Sequence, residues 1–168
     1  MKWTRSELMK KENAQVFFDE DITIDSKEFE QNSRINGVKD VHVEGDGYLD
    51  VHENQFYANL FVTGTMLVPD AITGKEVEYP FETESEEVYS FEDTDEDGVR
   101  IADGDEVDLM PAIVDNILLE VPLQVSYASK EEYPAGDGWR VVSEEEYQSG
   151  QEERLDPRLA KLKEYKEE

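Results

Sequence analysis

Asp108-Leu109-Met110-Pro111-Ala112-Ile113-Val114-Asp115-Asn116-Ile117-Leu118-Leu119-Glu120-Val121-Pro122 is the longest apolar run in an otherwise acidic chain. Leu109, Ala112, Ile113, Asn116, Ile117 and Val121 recur at a period near 3.6, which predicts a helix over about 109–120 with one mostly apolar face. Asp108 is placed to cap its start by accepting a backbone N–H. Pro111 falls in the first turn, where a missing N–H costs little. Pro122 ends the helix, because the residue before a proline disfavours the α region. Asp115 lies on the exposed stripe. The remainder of the fold is expected to pack against this helix.

Working back towards the N-terminus, the period changes to two. Phe56, Ala58, Leu60, Val62, Gly64, Met66 and Val68 share one strand face. Gly64 on that face suggests a bulge or a close approach by another element. Pro69–Gly74 reads as a loop. Val77, Tyr79 and Phe81 alternate again, so about 76–91 should pair antiparallel with about 55–68 as a long hairpin. Upstream, Val41 and Val43 alternate with charge, Gly45-Asp46-Gly47 marks a turn or bulge, and Tyr48, Leu49 and Val51 resume strand character. Val16, Phe17, Phe18, Ile22 and Ile24 suggest a first strand with an acidic interruption. Thr4-Arg5-Ser6-Glu7 fits a capping box opening a short helix to about residue 12.

Downstream of Pro122, Leu123, Val125 and Tyr127 suggest one last strand. Residues 129–156 then turn polar and acidic, broken by Trp139-Arg140-Val141-Val142, and Ser143–Glu146 fits another capping box. Asp156 as N-cap and Pro157 at the first position open a terminal helix, with Leu155, Leu159, Leu162 and Tyr165 along it. The expected class is α+β: a curved, mainly antiparallel sheet or partial barrel on one central helix, with a short N-terminal helix and a C-terminal helical tail. Residues 1–128 form the core domain and 129–168 a partly ordered acidic tail.

Composition narrows the function. The 168 residues carry a formal charge of −27. Residues 1–11 hold Lys2, Arg5, Lys10 and Lys11 against Glu7, and residues 154–168 hold Arg154, Arg158, Lys161, Lys163 and Lys166 against four acids. The whole negative excess therefore lies between the two ends. Such a body repels phosphate backbones, so a DNA partner is not expected. It attracts basic partners instead, and it also favours solubility. There is no cysteine, so disulfides, thiolate zinc and a cysteine nucleophile are excluded. With two histidines, His42 and His52, no multi-histidine metal site is expected, and both read as surface or strand-edge residues. No apolar run is long enough to span a bilayer, and the N-terminus lacks a signal peptide's apolar segment, so a cytoplasmic protein with no membrane partner is expected.

Catalytic motifs are lacking. Asp93-Thr94-Asp95-Glu96-Asp97-Gly98 matches the first half of an EF-hand loop, but position twelve is Gly104 and position eight is Arg100. A solvated acidic loop is the simpler account. General acid–base work requires a carboxylate set with a partner in an apolar run, and Asp115 in the helix is the one candidate for that, with a place on the exposed stripe the simpler account. No Gly-rich phosphate loop or nucleophile elbow is present. Neither an enzyme nor a cofactor is expected. Arg154, Arg158 and Lys161 recur at helical spacing and could meet RNA, a partner or the protein's own acidic body. Trp139 could anchor the tail or serve as a partner hot spot.

Several stretches, taken in order, resemble the YceD family, whose members are called large ribosomal RNA subunit accumulation proteins. They are Met1-Lys2-Trp3 with its short helix, Phe56–Val68, Asp108-Leu109 through Leu119-Glu120-Val121-Pro122-Leu123, Gly136-Asp137-Gly138-Trp139, and Asp156-Pro157-Arg158-Leu159-Ala160-Lys161-Leu162. Trp3, Asp108, Leu109, Pro122, Asp156, Pro157 and Leu159 are thus family-motif positions, mainly structural. The resemblance implies a cytosolic, bacterial-type, non-catalytic factor needed for normal levels of large-subunit rRNA, often encoded beside a small ribosomal protein. Many members carry cysteines after the long strand and after the leucine–proline–leucine segment. Here they are absent, so no zinc role carries over.

Three functions compete. The first is a ribosome-biogenesis factor supporting accumulation or maturation of 23S rRNA. Its acidic body would shield or guide a basic ribosomal protein of the large subunit, with RNA contact confined to the basic ends. The second is a direct RNA-binding protein that protects or recruits precursor rRNA through Arg154, Arg158 and Lys161. The third is an acidic calcium-binding or hydrolytic protein using the 92–105 loop.

Overall fold

The computed structural model describes residues 1–142 and 147–148. The protein is α+β and mostly sheet. In chain order its elements are β1 (Lys2–Thr4), α1 (Arg5–Leu8), β2 (Gln15–Ile22), β3 (Gly37–Asp50), β4 (Gln55–Pro69), β5 (Glu76–Ser90), β6 (Val99–Ile101), β7 (Glu106–Asp108), α2 (Met110–Leu119), β8 (Ala135–Gly136) and β9 (Trp139–Arg140). The described residues divide into two compact units, one of Met1–Pro69 with Lys75–Val125 and one of Asp70–Gly74 with residues 126–142 and 147–148.

The first unit is built on an open five-stranded sheet in the order β2-β3-β4-β5-β6, antiparallel except for the parallel β5–β6 pair. The long hairpin forms in one unbroken register from Gln55↔Ser90 to Pro69↔Glu76. Its inner face is the alternating set expected from sequence: Phe56, Ala58, Leu60, Val62, Met66 and Val68 are all buried. Gly64 sits opposite a register shift in β3 between Lys39 and His42, where Asp40 takes a positive φ of 52°. A side chain at Gly64 would also meet the Phe81 ring at 3.0 Å, so both suggested reasons for the glycine apply.

Helix α2 lies across β4 and β5 on this inner face. Leu109, Ala112, Ile113, Asn116, Ile117 and Val121 are all buried, as the period predicts. Buried Asn116 is satisfied: its Nδ2 donates to Ser85 Oγ at 2.6 Å and to Glu87 Oε1 at 3.0 Å. The helix starts one residue later than expected, with Leu109 at the cap position. Asp108 belongs to β7 but still accepts the Met110 N–H at 3.0 Å. Arg100 from β6 ties the sheet to the helix, its Nε donating to Glu87 (2.9 Å) and its Nη2 to Asp115 (2.8 Å).

Several expectations are corrected. Gly45-Asp46-Gly47 is no turn. It runs straight through β3, with both glycines on the inner face under the Phe18 and Phe56 rings. The acidic segment 92–107 contains two short strands. One of them, β7, pairs with β1 (Trp3↔Val107) and brings the N-terminus beside the start of α2, where the Leu109 N–H donates to the Met1 carbonyl at 3.0 Å. The first strand is continuous, without an acidic break. Helix α1 spans four residues rather than eight, although its capping box forms as expected: Glu7 N–H donates to Thr4 Oγ1 and Thr4 N–H to Glu7 Oε2. Leu123, Val125 and Tyr127 form no strand, and Leu123 is 83% exposed. The terminal helix at Asp156 and the capping box at Ser143 lie outside the described residues.

In the second unit, the Asp70 carboxylate closes a loop. Its Oδ1 accepts the Ile72 and Thr73 N–H groups (2.9 and 2.8 Å) and the Ser126 hydroxyl (3.2 Å), and its Oδ2 accepts the Tyr127 N–H (2.8 Å). This side-chain partner is why Tyr127 needs no strand partner. The Thr73 N–H leads these donors, which outweigh burial and hold the carboxyl far below the usual carboxylate range. A depressed pKa contributes stability above the unfolded value of about 3.9, lost as pH falls through the folded one. Asp70→Asn should therefore raise hydrogen exchange at the Ile72, Thr73 and Tyr127 amides by about tenfold or more. Unchanged protection would show that the carboxylate does not hold the loop.

Candidate interaction surface

The face of the sheet opposite α2 is set by simple alternation. Three cross-strand rows stand on it, each running β2, β3, β4, β5: Phe17–Asp46–Asn59–Glu86, Asp19–Glu44–Phe61–Glu84, and Asp21–His42–Thr63–Glu82. A fourth row adds Tyr48 and Tyr57, whose rings stack at 5.0 Å and 10°. The result is two carboxylate rails with β4 between them. One rail is Asp19, Glu44 and Asp46; the other is Glu82, Glu84 and Glu86.

This arrangement works against folding. Asp19 and Glu44 are paired directly across β2–β3, and like charges placed so destabilise a sheet. Little compensates them. His42 Nδ1 lies 2.8 Å from Asp21 Oδ1, and its Nε2 lies 3.3 Å from Asp19 Oδ1. Lys39 pairs with Glu78 at the far end of β5. Among the described residues, no lysine or arginine pairs with Glu44, Asp46, Glu82, Glu84 or Glu86. Phe17 is also 78% exposed on the outer face of an edge strand, where folding gains nothing from it. A shallow depression opens between Phe17 and Phe61, bordered by Asp19, Glu44, Asp46 and Glu84.

The hydrogen bond to Asp21 outweighs partial desolvation and, with the charges of Asp19 and Glu44, raises the His42 pKa above its ordinary value. A raised pKa contributes stability that is complete below the unfolded value of about 6.5 and lost as pH rises through the folded one. An NMR titration of the His42 ring should give a midpoint above that value, and Asp21→Asn should lower it. A native midpoint at or below 6.5 would show that the pair does not form. Asp19, His42 and Glu44 also each offer one ligand atom within 4.8 Å of one another, the donor types of a weak divalent-cation site. Elsewhere the most enclosed carboxylates, Asp70 and Glu87, are engaged by donors, with four hydrogen bonds on Asp70 and Arg100 and Asn116 on Glu87.

The residues singled out from sequence are scattered by comparison. Trp139 is 58% exposed in the short β8–β9 hairpin, its ring lying over Gly136. Arg154, Arg158, Lys161, Asp156, Pro157 and Leu159 lie outside the described residues. Trp3 is structural, its ring 5.7 Å from that of Phe18 and 6.2 Å from that of Phe56. Asp108 pairs with Lys2 at 3.3 Å, and Leu109 is fully buried. The sequence marks Phe17 only as a strand residue and singles out neither Phe61 nor the paired rails, although the alternation Phe17-Asp19-Asp21 and the even-numbered glutamates of 76–86 are visible in it.

The family model described as large ribosomal RNA subunit accumulation protein YceD matches residues 58–166. The chain belongs to the YceD family. The uncharacterized protein YlbN of Bacillus subtilis (strain 168) is 35% identical over 170 residues, covering 96% of this chain and 94% of the relative. No solved structure matches. The family match starts within β4, so the YceD region takes in the β4–β5 half of the acidic face as well as α2. Among the described residues, no helix is long and apolar enough to cross a membrane.

Proposed function

We propose that this YceD-family protein is a non-enzymatic, cytoplasmic factor in ribosome biogenesis, which supports accumulation of 23S rRNA by engaging a basic ribosomal protein of the large subunit. Family membership supports the rRNA role. The observation that carries the mode of action is the row Asp19–Glu44–Phe61–Glu84, an acidic row on a solvent-facing sheet that no lysine or arginine among the described residues offsets, His42 beside Asp19 being its one basic neighbour there. Such a surface speeds encounter with cationic partners and repels free RNA. Binding would relieve the like-charge repulsion that the isolated fold carries.

Depletion of the protein from its host should lower the ratio of 23S to 16S rRNA, and re-expression should restore it. An unchanged ratio after complete depletion would overturn the proposal. The second reading, direct RNA binding, rests on the basic residues Arg154, Arg158 and Lys161. It requires the purified protein to retain large-subunit RNA alone at low salt, where electrostatic attraction is least screened. It also requires that charge reversal of those three residues abolish the retention.

A further inference from the structure

We infer that the trough over β4, between the two carboxylate rails, is the docking site for an extended Lys/Arg-rich segment of a partner protein, running along the strands. This names the partner class and the site of the function proposed above, and so rests on that reading. The carboxylates of Glu82, Glu84 and Glu86 follow one another at every second residue of β5, a repeat of roughly 6.8 Å. An extended polypeptide repeats its own same-side residues at about the same distance. Glu44 and Glu84 stand on strands either side of β4, about 10 Å apart at normal strand spacing. Lysine or arginine side chains from a chain laid over β4 can reach either rail.

The floor of the trough chooses among cations. Asn59, Phe61 and Thr63 stand on β4 between the rails, and the depression itself opens between Phe61 and the exposed Phe17, over β3. An inorganic ion makes no use of Phe17 or Phe61. An aliphatic side chain buries against them, and a guanidinium stacks on an aromatic face while binding a carboxylate in bidentate fashion. RNA would set its phosphates against both rails. A polypeptide alternating basic and apolar residues satisfies floor and rails together.

The test is an NMR titration of the full-length, ¹⁵N-labelled protein with a synthetic 13-residue Lys/Arg peptide carrying one central leucine. Amide shifts should concentrate at Glu44, Phe61, Thr63, Glu84 and Phe17. The variant E82K/E84K/E86K should weaken binding by about 30-fold, as expected for several exposed ion pairs acting together. The control E20K/E28K/E30K makes the same net-charge change away from the trough and should weaken it less than about threefold. Phe61→Thr should weaken the leucine peptide by about fivefold and leave a glycine-substituted peptide unaffected. Circular dichroism melts establish that each variant folds, and the control set reports any general effect of added charge.

Shifts spread evenly over the acidic surface, or equal losses in the two triple variants, would overturn the inference. So would binding that appears only when Arg154, Arg158 and Lys161 are reversed to glutamate, because the chain's own C-terminal segment would then be the occupant. Displacement of the peptide by a single-stranded 20-nucleotide RNA bound to the same residues would likewise overturn it. The two proposals fail separately: an unchanged 23S to 16S ratio on depletion removes the rRNA role whatever the titration shows. A failed titration with a lowered ratio removes only this docking site.

Discussion

Phe56→Ala is expected to destabilise the protein by about 4 kcal/mol, the range for removing a fully buried aromatic ring. Phe56 is 0% exposed at the start of β4. Its ring packs against Trp3 from β1, and its edge lies where a side chain at Gly47 would stand, 2.4 Å from an added Cβ. Truncation therefore opens a cavity that cannot collapse easily, because the facing residue has no side chain to move into it. Trp3 would also lose one of its two aromatic partners, loosening the β1–β7 pair that tethers the N-terminus. For a chain of this size the melting temperature should fall by about 12 °C. Phe56→Leu should lose less than half as much. A loss below about 1 kcal/mol in the alanine variant, measured by urea unfolding, would show that this aromatic cluster is not part of the core.

Gly45→Val is expected to cost about 3 kcal/mol, the upper part of the range for overpacking. The cause is contact rather than backbone conformation, since Gly45 is not among the glycines with positive φ. An added Cβ would lie 2.0 Å from the Asn59 carbonyl oxygen and 2.8 Å from the Phe18 ring. A ring can rotate aside, but the carbonyl belongs to β4, in the middle of the longest ladder of the sheet. Relief therefore requires β3 and β4 to separate. The expected fall in melting temperature is about 9 °C. Asp46→Val, one residue along on the outer face, should change stability by less than about 0.5 kcal/mol. Equal effects at the two positions would refute the assignment of Gly45 to the packed face.

The contrast between adjacent positions bears on the interaction surface. β3 and β4 carry close-packed residues inward and the charged rows outward, so substitutions on the rails can test binding without disturbing the core. Glu82, Glu84 and Glu86 all face outward and are exposed, whereas Ser85 and Glu87 face α2 and hold Asn116 and Arg100. Even-numbered changes along this stretch of β5 address function, and odd-numbered changes address stability.

Much was legible from the residues themselves. The helix face from Leu109 to Val121 and the strand face from Phe56 to Val68 follow local periods, and a period survives whatever the chain later packs against. The capping box at Thr4 and the hairpin of β4 with β5 are equally local. Gly45 and Gly47 depart from the turn or bulge expected of them, because a Gly-Asp-Gly run is a turn signal only when nothing else occupies the space of the missing side chains. Here Phe18 and Phe56 occupy it, from two other strands. The β1–β7 pair joins short segments far apart in the chain, with no pattern in either to announce the other. The carboxylates can be counted from sequence, and so can their concentration between the two basic ends. Only the register of four strands set Asp19 beside Glu44, placed Phe61 between Glu44 and Glu84, and left Phe17 uncovered at the edge. Alternation is written along one strand, but adjacency across strands is a property of the paired sheet.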